Sequence, residues 1–188
     1  MKTFFLSDTH FTHANLMHHY PKGRALFPDV DALDDYMVEQ FNSVVGPKDR
    51  VIHVGDFGGW DIEKSTKRLR QLHGEKELIP GNHDRKHIRD AKFAREWSMI
   101  HPYSYAELSV EGQQIAFSHF PIWEWMQIHR GWWHIHGHVH GKPTGIPGKI
   151  LDVGVDGHDL KVWSFEEVKA HMDARPIRYH HEMKDNAH

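Results

Sequence analysis

The stretch FFLSDTHFTH, Phe4–His13, decides how the rest of the chain is interpreted. Three apolar residues are followed almost at once by Asp8 and His10. An acid and an imidazole are unfavourable in a hydrophobic core, but they are typical of a site at the end of a buried strand. In open α/β sheets the carboxyl ends of the strands line the crevice where ligands bind. We therefore predict a strand over residues 2–7 with a site at its carboxyl end.

Strand and helix patterns alternate through the first half of the chain. Apolar residues at helical spacing predict helices over 31–45 and 61–74. The segment RVIHVGD, residues 50–56, predicts a second strand, and KELIPGNHD, residues 76–84, predicts a third strand that runs into a turn. This alternation is typical of an α/β layer architecture.

The second half has more strand patterns. Two segments that flank Glu111-Gly112 predict a hairpin, and further strands are predicted within residues 132–141, 149–157 and 160–165. A capping box at Ser164-Phe165-Glu166-Glu167 predicts a last helix that ends near Met172. No break in composition divides the chain, so we predict one domain over 1–175 and a tail over 176–188 that is either disordered or packs on a partner.

Composition excludes several classes of protein. The 188 residues include no cysteine, which excludes disulfides, thiolate metal sites and cysteine nucleophiles. The net charge of −3 argues against a polyanion-binding chain. No apolar run is long enough for a signal peptide or a membrane span, so we expect a soluble, cytoplasmic protein without membrane association. The 20 histidines are unusual, because imidazole is the commonest metal ligand and transfers protons near neutral pH.

Ligand-type side chains follow apolar segments in four places. They are Asp8-Thr9-His10, Gly55-Asp56, Gly81-Asn82-His83-Asp84, and Ser118-His119 together with Gly137-His138-Val139-His140. The alternation in Asp-x-His and His-x-His would place both side chains of a pair on one side of an extended segment. Each motif alone has a simpler interpretation, since Gly-Asp and Gly-Asn are turn sequences and HGHVHG could be a surface tract.

The donor types indicate a pair of metal ions. Oxygen and imidazole donors without thiolate suit Mn, Fe or Zn. Two Asp, one Asn and four His exceed what one tetrahedral ion can bind, and a site for two ions accommodates all seven if one carboxylate bridges them. Asp56 is the best candidate for that bridge, because the preceding glycine allows a close approach of the backbone. Two ions ~3.5–4 Å apart are a common device for displacement at phosphorus.

The ordered series D-x-H, G-D, G-N-H-D, H and G-H-x-H, from Asp8 to His140, resembles the calcineurin-like metallophosphoesterases, and most closely the small bacterial and phage-type members. This resemblance implies an α/β fold, a four-layer α/β/β/α sandwich of two mixed sheets flanked by helices. It also implies a metal-dependent hydrolase of phosphoric esters.

The resemblance assigns a role to each residue of the series. It implies two divalent ions, most simply Mn, with Fe or Zn as alternatives. The first ion would be bound by Asp8, His10 and His140, the second by Asn82, His119 and His138, and Asp56 would bridge them. His83 would assist the leaving group, and Asp84 would orient the His83 imidazole.

For the reaction, the resemblance implies in-line attack of a metal-bridging hydroxide on a phosphodiester. Phosphomonoester hydrolysis of nucleotides or other small phosphates is one alternative, and a catalytically silent metal-binding scaffold is another. The segment GDFGGW departs from the V-D-R-G pattern of protein phosphatases. This departure argues against a protein phosphatase. As is common for small members of the family that the chain resembles, we expect a small phosphodiester or nucleotide as the substrate, in preference to a nucleic acid. The oligomeric state is not predicted.

Several aromatic residues and histidines keep two interpretations. In the segment Phe120–Ile135 an aromatic such as Trp123 could stack a nucleobase, with His129 and Arg130 near a phosphate. Large aromatics such as Trp132 and Trp133 could equally be core residues of a strand. The remaining histidines near the motifs are either strand or loop residues or supports of the site: His13, His134 and His136.

Overall fold

A computed structural model of the chain describes residues 1–19 and 21–179. The strands are β1 (Thr3–Leu6), β2 (Arg50–His53), β3 (Glu75–Leu78), β4 (Met99–Ile100), β5 (Tyr105–Val110), β6 (Gln113–Ser118), β7 (Trp133–His136), β8 (Ile150–Asp152) and β9 (Trp163–Ser164). The helices are α1 (Leu16–His19), α2 (Pro21–Arg24), α3 (Val30–Val44), α4 (Ile62–Gln71), α5 (Ala91–Ala94) and α6 (Phe165–Asp173).

These elements form two mixed sheets. The first has the strand order β4-β3-β2-β1-β9, in which β1 to β4 are parallel and β9 is antiparallel to β1. The second has the order β5-β6-β7-β8, in which only β5 is antiparallel to its neighbour. The predicted α/β fold class, with two mixed sheets and flanking helices, is confirmed.

Alternation along β1 shows why the sheets stack. Phe4 and Leu6 belong to a core that β1 shares with α3 and α4, whereas Phe5 belongs to the core between the two sheets. Because successive side chains of a strand point to opposite faces, a fully apolar strand must be covered on both sides. Burial on both sides holds β1 rigidly, and its carboxyl end therefore has a fixed position.

The main helices begin where the chain supplies a capping side chain. Asp29 accepts a hydrogen bond from the backbone N–H of Ala32 at the start of α3, and Asp61 does the same at α4. The predicted capping box is present at α6, where Ser164 and Glu167 bond each other's backbone N–H groups.

Short elements differ most from the sequence-based predictions. The two-residue strand β4 and the four-residue helix α5 were not predicted, since so few residues show no periodicity. The helix α4 ends at Gln71, three residues before the predicted Gly74. Among the described residues, no helix is long and apolar enough to cross a bilayer.

The start of the predicted tail packs against the domain. Arg178 is only 6% exposed, its guanidinium lies 4.7 Å from the centre of the Trp123 ring, and it donates to the Trp123 carbonyl at 2.7 Å. Ile177 lies beside Gly131 on the same loop. The rest of the predicted tail, residues 180–188, lies outside the described part of the chain.

Candidate metal centre

Five chain segments bring donor atoms together at the carboxyl ends of the strands. The segments follow β1, β2, β3, β6 and β7. Two compact groups result, in each of which the candidate ligand atoms all lie within 4.8 Å of one another. We call them the first group, Asp8, His10 and His140, and the second group, Asp56, His119 and His138.

The Asp56 carboxylate lies between the two groups. Its Oδ2 atom is 3.6 Å from Nε2 of His10 and 3.2 Å from Nε2 of His119. Asn82 joins the second group, because its Oδ1 lies 3.2 Å from the same His119 nitrogen. Asp56 thus occupies the position that a ligand shared by two ions requires.

Unpaired buried atoms indicate that a cation belongs here. Asp8 Oδ1 and His10 Nε2 are buried and have no hydrogen-bond partner among the described residues. The Oδ1 atom faces Nε2 of His10 at 3.9 Å and Nε2 of His140 at 3.7 Å. Leaving such groups unpaired is costly, and a divalent ion bound between them would remove the cost. The donor set therefore fits the predicted metal.

Burial and neighbouring charges shift the pKa values of the candidate ligands. Burial raises the pKa of Asp8 to about 7. Burial lowers the pKa of His119, but the hydrogen bond and charge of Asp56 outweigh it and raise that pKa to about 9. Burial, with the charge of Arg24, holds the pKa of His10 well below its usual value. A cation that binds here must displace a proton from the second group.

Five of the candidate ligands have left-handed backbone conformations. The φ angles of Asp8, His10, Asp56, His138 and His140 are 57°, 46°, 59°, 72° and 52°. Such values are uncommon for residues other than glycine and cluster at functional sites. The expectation of extended Asp-x-His and His-x-His segments is therefore wrong. These side chains converge because the backbone turns sharply after β1, β2 and β7.

Two glycines allow this convergence. A Cβ atom on Gly55, whose φ is +90°, would lie 2.6 Å from both the Gly81 nitrogen and His119 Nδ1. A Cβ atom on Gly137 would lie 1.7 Å from Ser7 Oγ. The close approach that the sequence predicted beside Asp56 is thus a steric requirement at two of the motifs.

A buried ion pair supports the first group. His140 Nδ1 lies 2.7 Å from Asp156 Oδ2, and Arg24 Nε donates to Asp156 Oδ1 at 2.7 Å. The Arg24 guanidinium, 1% exposed, also donates to the backbone carbonyls of Asp8 and Thr9. Sequence reasoning missed both residues, because neither lies in a recognisable motif and they are 132 positions apart.

His119 is oriented by the backbone instead. Its Nδ1 lies 2.8 Å from the Val54 carbonyl, which leaves Nε2 directed at Asp56 and Asn82. A hydrogen bond at one ring nitrogen fixes the tautomer that presents the other nitrogen as a ligand.

The predicted role of Asp84 needs correction. Its buried carboxylate accepts hydrogen bonds from the backbone N–H groups of Asp56 at 2.7 Å, Phe57 at 3.0 Å and Gly81 at 2.8 Å. It therefore ties the loops after β2 and β3 together and does not orient the His83 imidazole. His83 is held through its backbone N–H, which donates to Asp56 Oδ1 at 2.8 Å, and its ring meets that of His10 edge-on at 5.1 Å.

The other histidines separate into two kinds. The His13 ring lies 5.6 Å from that of His10 and 5.9 Å from that of His83, so His13 is beside the site. His134 and His136 are buried strand residues of β7. His134 Nδ1 bonds the Ala116 carbonyl at 2.9 Å, and burial lowers the pKa of His134 to about 3.

The three proposed substrate residues lie on the loop between β6 and β7. Trp123 is exposed and covered on one side by Arg178, and His129 and Arg130 are exposed residues of a single 3₁₀ turn. No described contact joins Trp123 or Arg130 to either group of candidate ligands. Their part in substrate binding stays a prediction. Trp133 is a core residue that stacks on Phe165.

The match to a protein family agrees with the metal-binding geometry of the site. The model of the family described as calcineurin-like phosphoesterase matches residues 1–184. The chain belongs to the calcineurin-like phosphoesterase family. It is a hydrolase of phosphoric esters, and the family's use of divalent metals agrees with the two groups of candidate ligands.

Individual relatives are small proteins from varied sources. The chain is 31% identical to the gene 66 protein of Mycobacterium phage L5, with 82% of this chain and 86% of that protein aligned. It is 28% identical to an uncharacterised Methanocaldococcus jannaschii protein, over 74% of this chain and 69% of that one. Among solved structures, an Aquifex aeolicus protein of unknown function superposes with a TM-score of 0.71 at 26% identity, over 90% of this chain and 98% of that one.

Proposed function

We propose that this phosphoesterase hydrolyses phosphodiester bonds in a small or nucleotide-like substrate. The first ion would be held by Asp8, His10 and His140 and the second by Asn82, His119 and His138, with Mn as the expected metal. The position of Asp56 carries the proposal, because one carboxylate oxygen lies within 3.6 Å of imidazoles from both groups.

Two bound divalent ions would supply positive charge for the phosphoryl oxygens and lower the pKa of a water molecule. The chain fixes the positions of the donors, because each donor follows a strand of the two sheets and five of the seven have left-handed backbone conformations. Preorganised donors need no rearrangement while charge develops at phosphorus, which is why their rigidity favours the reaction.

His83 is placed to transfer the proton. Its backbone is fixed by Asp56, and its ring is half-buried beside His10. It is therefore close to the candidate ligands and still reachable from solvent. We propose that its imidazolium donates a proton to the oxygen of the departing alcohol, which typically contributes ~10²–10⁴-fold to the rate.

The test uses protein reconstituted with metal ions. We expect hydrolysis of bis(p-nitrophenyl) phosphate to exceed that of p-nitrophenyl phosphate. With a dinucleoside phosphate, whose departing alkoxide needs a proton, His83→Ala should lower turnover by about 10²–10⁴-fold with metal content unchanged. His73→Ala is a matched control, since His73 lies two residues before the start of β3 and so at the amino-terminal edge of the sheet, opposite the candidate ligands. Failure of protein that holds two ions of Mn, Fe, Co, Ni or Zn to turn over either ester would favour the silent scaffold.

A further inference from the structure

Two exposed aromatic side chains stand beside the metal centre, one near each group. Trp60 is 71% exposed, and its ring lies 5.9 Å from that of His83 and 6.0 Å from that of His13. Phe120 is 40% exposed, and its ring lies 4.6 Å from that of His138 and 5.1 Å from that of His119.

Among the described residues, Trp60 is the most exposed tryptophan and Phe120 is the only exposed phenylalanine. The neighbouring Phe57 is fully buried in the core, whereas Trp60 extends into solvent three residues later on the same loop. The ring contacts of Trp60 and Phe120 with the histidines are all edge-on, at interplanar angles of 62° to 89°. The described histidines therefore do not stack on either aromatic ring. Aromatic side chains beside a phosphate-binding centre supply faces on which planar groups of a ligand can stack.

The two aromatics have different neighbours. Trp60 contacts His83, the proposed proton donor, and lies on the side of His10 and the first group. Phe120 contacts two ligands of the second group. A phosphorus atom held at the centre would have Trp60 on the side of the leaving oxygen and Phe120 on another side.

We propose that Trp60 and Phe120 determine specificity for phosphodiesters that carry a planar aromatic group or a nucleobase on each side. Trp60 would contact the departing group and Phe120 the group that stays on phosphorus. This inference rests on the proposed phosphodiesterase function and names its substrate class. A monoester could use only one of the two contacts.

The reaction balances with water as the only co-reactant. The water oxygen forms a new bond to phosphorus, the bond from phosphorus to the leaving oxygen breaks, and that oxygen takes the His83 proton. The products are a phosphomonoester, retained beside Phe120, and an alcohol or phenol, released beside Trp60. The attacking water loses one proton to solvent, and His83 regains its proton from solvent, so that the step balances.

The occupant we favour is the size of a dinucleoside phosphate. Two aromatic side chains match two planar groups, and base–aromatic stacking tolerates any base. A long nucleic acid would need a basic groove that follows its backbone, whereas the chain carries a net charge of −3.

Two synthetic esters separate the two contacts. Thymidine 5′-(p-nitrophenyl) phosphate and methyl p-nitrophenyl phosphate release the same phenol and differ only in the retained group. Phe120→Ala should lower kcat/KM about tenfold for the thymidine ester and leave the methyl ester within about twofold. Trp60→Ala should lower kcat/KM for both esters by the same factor, about tenfold.

A binding measurement completes the test. Thymidine 5′-phosphate is the expected product, and its inhibition constant should rise about tenfold in Phe120→Ala but not in Trp60→Ala. Tyr179→Ala removes another exposed aromatic and serves as the matched control, with every rate unchanged. Metal content should be the same in all three variants.

The outcomes separate this inference from the proposed function. Suppose that the wild type hydrolyses both esters. An unchanged kcat/KM for both esters in Trp60→Ala would then overturn the role of Trp60 alone, and an unchanged ester preference and product inhibition in Phe120→Ala would overturn the role of Phe120 alone. Tighter binding of a single-stranded oligonucleotide than of the dinucleoside phosphate, abolished by salt, would overturn the substrate size. Metal-loaded wild type that hydrolyses neither ester would remove both proposals.

Discussion

The first and second groups of candidate ligands are built differently. In the first group Asp8 and His10 are buried, and His140 is tied to Asp156 and through it to the buried Arg24. In the second group Asp56 and His119 are buried, but His138 and Asn82 are exposed. We infer that the first group retains an ion and that the second leaves positions open for substrate, as catalytic metal sites require.

The exposed side of the second group is nevertheless anchored. The backbone N–H of His138 donates to Asp8 Oδ2 at 2.9 Å, so a residue of the second group is attached to a ligand of the first. Asp56 contacts imidazoles of both groups. We therefore expect the two groups to bind their ions with different affinities, and we expect changes at Asp56 to weaken the binding of both ions.

The largest expected effect is that of Asp56→Asn. The variant keeps the shape of the side chain but removes the charge shared by both groups, and the lost stabilisation of several kcal/mol corresponds to about 10³-fold or more in kcat/KM. Metal analysis should show fewer than two ions per chain. Asp173→Asn, at an exposed position of α6, is the control. Full metal content and activity in Asp56→Asn would contradict the bridge.

A smaller effect should distinguish the two groups. Asp156→Asn loosens the His140 imidazole and should weaken the first ion by about 10–100-fold, the usual cost of removing a partner of a metal-binding histidine. Affinity for the second ion should change little, because no described contact joins Asp156 to His119 or His138. Titration with Mn²⁺ followed by calorimetry measures both. Equal weakening of both ions would show that the two groups are one unit.

Metal removal tests the difference in burial between the first and second groups without a mutation. A chelator should remove the ion of the exposed second group before that of the buried first group, in two kinetic phases. The fully stripped protein should lose about 2.7 kcal/mol of stability for each ion, or about 5.4 kcal/mol for both, relative to protein in metal at a hundred times each dissociation constant. Thermal unfolding and metal analysis of the same samples check both statements. A single phase of release would contradict the difference in burial.

The smallest expected effect is the pH dependence of stability that is due to His134, a buried histidine outside the first and second groups. Burial lowers the pKa of His134 to about 3 in the folded state, below the value of 6.5 expected when it is exposed. The unfolded chain therefore binds the extra proton as pH falls below 6.5, and folding loses about 2 kcal/mol between pH 7.5 and pH 5. In His134→Gln, the free energy of unfolding measured by chemical denaturation should therefore vary by about 2 kcal/mol less over this pH range. An unchanged dependence would refute the account of His134.

Much of the site was predictable because its chemistry lies next to strand patterns. Asp8, Asp56 and Asn82 each follow a short apolar run, and parallel strands bring their carboxyl ends to one edge. The supporting pair Arg24 and Asp156 was not predictable, since contact between residues remote in sequence depends on tertiary packing.

Other features of the site could not be predicted from the sequence. The left-handed conformations at His10 and His138 leave no trace in hydrophobic periodicity. Trp60 follows a Gly-Gly pair, and a single aromatic residue in a loop does not indicate what it faces.

The central claim is that two ions share Asp56. Anomalous X-ray diffraction from crystals of the Mn-loaded protein, recorded at the metal absorption edge, tests it most directly. We expect two peaks ~3.5–4 Å apart, one on each side of the Asp56 carboxylate. A single peak, or peaks at histidines outside the first and second groups, would contradict the claim.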